Sequence, residues 1–196
     1  MAARRLMRDL EELKSSPVSV NISAHPMPSD IYKWHGNLRI PEHDITVHYE
    51  LSFTCDYPIE PPSILLKTAI PHSNVYTAPN NSRKIHLCLD MLQRGRAAPY
   101  QGWSTAYTVR TILLQLESLM QDPESLRGNP FIGTMDAALI RANHFNCADC
   151  GHRGDGRRTW PRLPKHEDLE RKVYRDYETP QNVDVKVCHG NEPLKI

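Results

Sequence analysis

Ile85-His86-Leu87-Cys88-Leu89-Asp90 is the stretch on which the reading of this chain turns. Upstream of it stands Tyr57-Pro58-Ile59-Glu60-Pro61-Pro62-Ser63, and fifteen residues beyond Cys88 stands Trp103, in Gly102-Trp103-Ser104. A thiol can hold an acyl group as a thioester, which is stable enough to carry and reactive enough to hand on to an amine. Taken without neighbours, a cysteine between two leucines is more often a small buried hydrophobe. The flanking segments decide between these two uses.

Working outward, Leu6, Met7, Leu10 and Leu13 recur at helical spacing until Ser15-Ser16-Pro17, which predicts a first amphipathic helix. Tyr32, Trp34, Leu38 and Ile40 alternate with polar residues, and after Pro41-Glu42-His43-Asp44 so do Ile45, Val47, Tyr49, Leu51 and Phe53. That period of two predicts antiparallel strands joined by a turn, each with one buried face. A third strand is expected at 63–67, after the proline pair. Between Pro71 and Arg96 no period persists, so a long structured loop is expected there. With Ser104 as the cap, Val109, Ile112, Leu113, Leu116, Leu119 and Met120 line one face of a central helix that ends at Asp122-Pro123. Another helix is expected over 136–145. The composition shifts at Gly151-His152-Arg153-Gly154-Asp155-Gly156-Arg157-Arg158, a polar connection that sets the expected division into a domain over 1–150 and an extension over 151–196. A short charged helix over 165–178 and a last strand around Val183, Val185 and Val187 complete the reading.

The 196 residues contain 24 Lys plus Arg against 23 Asp plus Glu, which removes bulk charge as a means of gripping nucleic acid or an anionic membrane. No apolar run is long enough to span a bilayer, and the charged amino terminus is no secretion signal. Five cysteines, an odd number without such a signal, point to reduced thiols and a cytoplasmic or nuclear protein.

The order of helix, antiparallel strands, proline pair, cysteine loop and long apolar helix resembles the ubiquitin-conjugating enzyme fold over roughly residues 4–146. Tyr57-Pro58-Ile59-Glu60-Pro61-Pro62, Leu87-Cys88-Leu89-Asp90 and Trp103-Ser104 look like that family's segments in order and near its spacing. The implied class is α+β, with an N-terminal helix, an antiparallel meander sheet, a long active-site loop and C-terminal helices. Phe145-Asn146-Cys147-Ala148-Asp149-Cys150-Gly151 is similar to a divergent branch whose members carry a membrane tail, and this chain is expected to lack one. The resemblance implies that Cys88 accepts ubiquitin or a ubiquitin-like modifier from an activating enzyme and passes it to lysine, alone or with a ubiquitin ligase. No cofactor is implied. The alternative is an inactive module that uses the same fold to bind ubiquitin or a ligase.

The family places an asparagine in a His-Pro-Asn triplet near the thiol. Counting back from Cys88 reaches Ala78-Pro79-Asn80, whereas counting forward from Pro61-Pro62 reaches His72-Ser73-Asn74, a difference of six inserted residues. Asn80 is favoured by its position relative to the thiol, with Asn74 as the competitor. The acidic residue that often gates the incoming lysine has no clear counterpart in Glu124-Ser125-Leu126-Arg127. Partner contacts carry over to Arg5 on the first helix, Ile59 in the Tyr-Pro loop, and Thr105 and Ala106 after Trp103-Ser104. Cys55 is expected to pack inside, and Trp103 to anchor the core. Finally, Cys147 and Cys150 form a C-x-x-C pair that could bind zinc with Cys188 and His189, or with His152 as a replacement; two packed thiols at a helix end are the plainer reading.

Overall fold

The computed structural model describes residues 1–78, 81–94, 102–127 and 132–170. Helix α1 (Ala2–Ser15) buries Ala2, Leu6, Asp9, Leu10 and Leu13, the stripe that a 3.6-residue period puts on one side. Strands β1 (Ile22–Met27), β2 (Asp30–Ile40), β3 (Ile45–Ser52), β4 (Ser63–Leu66), β5 (Val75–Ala78) and β6 (Asn81–Leu87) make one antiparallel sheet in the order β1-β2-β3-β4-β6-β5. Helix α2 (Val109–Met120) packs with α1 across the sheet's inner face, and α3 (Met135–His144) lies against β3. A short α4 (His166–Glu170) follows. No described helix is long and apolar enough to cross a membrane.

The alternation read for β2 and β3 holds. Trp34, Leu38, Val47, Tyr49 and Leu51 are fully buried on the inner face, where a side chain of this size contributes roughly 3 kcal/mol. Gly36 pairs with Tyr49, and the tyrosine ring crosses over it so that its hydroxyl donates to the Ser23 carbonyl at 2.8 Å. A methyl group at Gly36 would run into that ring and the Ser23 carbonyl, so the site admits only glycine.

Three expectations are corrected. Strand β1 was not foreseen, because all six of its residues are buried and it therefore shows no alternation. The expected loop over 71–96 contains the β5–β6 hairpin, whose polar residues suit an edge of the sheet. The α2 cap is Thr108, not Ser104: the Thr108 hydroxyl accepts from the Thr111 amide, and the Thr111 hydroxyl accepts from the Thr108 amide in return. The extension expected from residue 151 begins docked. Gly154 donates to the Phe145 carbonyl, and the Pro161 carbonyl accepts from Asn37 at 2.6 Å and Ser23 at 3.3 Å. The strand expected around Val183 and most of the helix expected over 165–178 lie outside the described residues.

Candidate active site

Cys88 follows directly on β6, with its side chain neither sealed nor fully open. Its backbone is fixed from both sides by one residue: the Cys88 amide donates to the Asn74 carbonyl at 2.8 Å, and the Asn74 side-chain amide donates to the Cys88 carbonyl at 3.0 Å. Asn74 is itself held. Its amide donates to His72 Nδ1 at 3.1 Å, and Ser73 Oγ donates to its side-chain oxygen at 2.9 Å. His72 is buried and its other nitrogen meets the Leu119 carbonyl at 2.9 Å, so that Nε2 carries the proton and Nδ1 accepts. Burial pushes the His72 pKa below the ordinary histidine range, which keeps this acceptor neutral. The Ser73 amide donates to the Ser125 carbonyl, tying the segment after α2 to the same rim.

Sequence reasoning missed Gln93. The 3-10 turn Asp90–Leu92 brings its side-chain amide to 3.2 Å from Cys88 Sγ, and the Trp103 amide donates to its carbonyl at 2.9 Å. Nothing in Met91-Leu92-Gln93 marks that turn, so no signal in the sequence could have found it. His86, on β6, stacks on Tyr76 with ring centres 5.5 Å apart. Asn80 lies outside the described residues, in the segment between β5 and β6.

A second cluster fixes the surfaces around this loop. Asp9 is buried on α1, where it accepts from Arg5 Nε at 2.8 Å, from the Tyr57 hydroxyl at 2.6 Å and from the Val109 amide at 3.3 Å. A carboxylate suits the positive amino-terminal end of α2. Burial, then the hydrogen bond to Asp9 and its charge, pushes the Tyr57 pKa well above the ordinary tyrosine value, so the phenol stays a donor. The Arg5 guanidinium also donates to the Thr105 and Tyr107 carbonyls, at 3.2 and 2.7 Å. Trp103 Nε1 donates to the Pro58 carbonyl at 2.7 Å, and the ring packs on the core as expected. Of the four residues expected to meet partners, Thr105 and Ala106 are exposed, Ile59 is 74% exposed, and Arg5 is largely turned inward. Cys55 is exposed rather than packed inside, because β3 ends at Ser52 and the chain leaves the sheet before it.

Cys147 and Cys150 do meet potential ligands, though not those expected. Their sulfurs lie with His35 of β2 and His48 of β3 in a group whose ligand atoms are all within 4.8 Å of one another. His152 stacks flat on His48, ring centres 4.5 Å apart, and Cys188 and His189 lie outside the described residues.

Comparisons with known proteins show what the chain is similar to. Residues 5–131 match the family model described as ubiquitin-conjugating enzyme. The chain is 36% identical over 126 residues to "Ubiquitin-conjugating enzyme E2 2" of Candida albicans, a match covering 62% of this chain and 63% of that protein. The protein of the same name from Yarrowia lipolytica is 33% identical over 147 residues, covering 73% of this chain and 85% of its own length. Among solved structures, the E2 domain of a Toxoplasma gondii ubiquitin conjugating enzyme aligns with a TM-score of 0.48 at 27% identity, covering 61% of this chain and 74% of that one.

Proposed function

The chain belongs to the ubiquitin-conjugating enzyme family, and within it we propose that Cys88 accepts the carboxyl terminus of ubiquitin and delivers it to a lysine. In the first step the Cys88 thiolate attacks the thioester carbonyl on the activating enzyme, whose own thiolate leaves. In the second, a neutral lysine amine attacks the Cys88 thioester, an amide forms, the Cys88 thiolate departs and the amine's proton goes to solvent. The observation that carries this reading is a half-exposed cysteine on a backbone clamped from both sides by Asn74. Positioning of that kind is most of what thioester exchange asks of a protein.

Two asparagines competed for the family role, and the geometry favours Asn74. Its side chain reaches the Cys88 carbonyl, and its own placement is fixed by His72 and Ser73. The six inserted residues then fall between Asn74 and Cys88, the interval that the β5–β6 hairpin occupies. Gln93 donates to the sulfur and would steady the thiolate as it forms or leaves. Ile59, Thr105 and Ala106 form the docking surface for the activating enzyme and ligase, while Arg5 positions them by tying α1 to the 105–107 segment.

Incubating the full chain with activating enzyme, ATP and ubiquitin tests the proposal. The expected product is an adduct that a reducing agent removes and that Cys88→Ala does not form. A chain that forms no adduct with ubiquitin or with any related modifier, yet still binds a ligase, is a binding module instead.

A further inference from the structure

We propose that His35, His48, Cys147 and Cys150 form a structural zinc site that clamps the chain after α3 onto the outer face of the sheet. The argument begins with burial. In β2 and β3 the residues opposite the core face are His35, Asn37, His48 and Glu50, positions that alternation alone assigns to solvent. All four are buried, His35 and Asn37 completely, beneath Phe145, His152 and Trp160. Buried polar side chains have to be satisfied, and these carry a specific pattern.

That pattern fixes where the protons sit. The Asn37 amide nitrogen donates to the Pro161 carbonyl, so its oxygen faces His48 Nδ1 at 2.8 Å and must accept from it. His48 Nε2 therefore presents a lone pair. His35 Nε2 faces the Glu50 carboxylate at 3.5 Å without a hydrogen bond between them, a placement that suits the proton on that side and a lone pair on Nδ1. With that tautomer the two nitrogens, 3.0 Å apart, present lone pairs to each other, which a cation between or beside them would reconcile; a proton on His35 Nδ1 donated to His48 Nε2 is the metal-free alternative. Cys147 Sγ lies 3.6 Å from His35 Nδ1, and Cys150 Sγ lies 3.5 Å from His48 Nε2. A tetrahedral zinc with nitrogens at about 2.0 Å and sulfurs at about 2.3 Å separates neighbouring nitrogen and sulfur ligands by about 3.5 Å. Two imidazoles and two thiolates are a donor set that selects zinc.

The outer groups match as well. Each candidate ligand histidine has its far nitrogen against an acceptor, a carboxylate for His35 and an amide oxygen for His48, and Lys67 in turn holds Glu50 at 2.6 Å. Such outer partners orient metal-bound imidazoles. The cysteine pair sits in a tight turn: the Gly151 amide donates to the Cys147 carbonyl, and the Cys147 amide donates to the His152 carbonyl, both at 2.9 Å. Gly151 has φ 73°, a conformation that glycine adopts without strain. Four protein ligands close the coordination shell, so the ion has no position for substrate, and β4 separates its strands from β6, which leads to Cys88. The role is to fasten 145–161 to the sheet.

The test uses the full-length chain, purified without chelator. Elemental analysis is expected to find about one zinc per chain, and the metal-free protein loaded with cobalt should show the visible absorption of a tetrahedral site with thiolate ligands. Cys150→Ser and His48→Ala should each lower the retained metal at least about tenfold, with Cys88→Ala and Cys188→Ser unchanged. Metal-free wild-type protein should be cleaved faster between 145 and 165 than the loaded form. Failure of the wild-type chain to take up zinc or cobalt overturns the proposal and leaves a shared proton as the cation. Loss of metal in Cys188→Ser with retention in His48→Ala overturns this ligand set. None of these readouts depends on activity at Cys88, so the site stands or falls apart from the conjugating function.

Discussion

In the proposed reading, Cys88 and the Cys147–Cys150 pair are the same chemical group put to opposite uses. Cys88 stands at the end of an edge hairpin, partly open, with its carbonyl and amide held by Asn74 and its sulfur touched by an amide. Cys147 is buried and faces two imidazoles, and Cys150, half-buried, completes the group from the same turn. The bond from Cys150, together with His35 and His48, drives the Cys147 thiol far below the ordinary cysteine pKa, while Cys147 and burial push Cys150 the other way. A reactive sulfur needs a fixed backbone and an open side; a ligating sulfur needs other donors converging on it and no open side. Burial and the neighbours' lone pairs separate the two roles, not the cysteine itself.

The comparison breaks most visibly at Cys88. Cys88→Ala is expected to abolish the reducible ubiquitin adduct completely, read on a non-reducing gel, with bound zinc unchanged. Next comes the converse. Cys150→Ser should cost more than about 3 kcal/mol in denaturant unfolding, because the clamp goes with the metal, while adduct formation persists in conditions where the variant stays folded. If that variant loses the adduct as well, the two sites are coupled and the division fails. A third prediction sharpens the reactive side. Asn74→Ala should slow transfer to free lysine by about a hundredfold in single-turnover assays, while adduct formation changes by less than about threefold. Asn80→Ala should leave both rates near wild type.

The smallest effect concerns the clamped face. His25 is buried under the edge of Trp160, and burial first, then Lys14, pushes its pKa down from 6.5 to about 4. The folded state thus prefers the neutral ring, so stability is full above pH 6.5 and is lost as pH falls towards 4. Between pH 6.5 and about 5 the loss attributable to His25 is about 1.5 kcal/mol. His25→Asn keeps the polar contact without the titration, and its unfolding free energy should fall less over that interval. Because both proteins lose zinc alike in acid, the difference between them isolates His25.

Much of this was legible in the chain. Period-two alternation located β2 and β3, and the apolar stripes located α1, α2 and α3, because each element buries one side. Elements buried all round, or lying at the sheet edge, left no such trace: β1 is covered on both faces, and β5–β6 is polar and interrupted by Pro79-Asn80. The candidate thiol is picked out by its neighbours in sequence. Its asparagine was harder: position relative to the thiol favours Asn80, which lies outside the described residues, while the described contacts pair Asn74 with Cys88. The zinc candidates were half visible. C-x-x-C is a local signal, but His35 and His48 lie about a hundred residues from the cysteine pair and occupy positions that alternation gives to solvent. What buries them is the chain after α3, whose glycine-rich, charged composition reads as a connection rather than as a cover.

Native mass spectrometry of the full-length chain after charging tests the division of labour among the cysteines most directly. The account predicts one ubiquitin and one zinc on the same molecule, with thiol reductant removing the ubiquitin and leaving the zinc. An adduct mapped to Cys147 or Cys150, or one that displaces the metal, would contradict it.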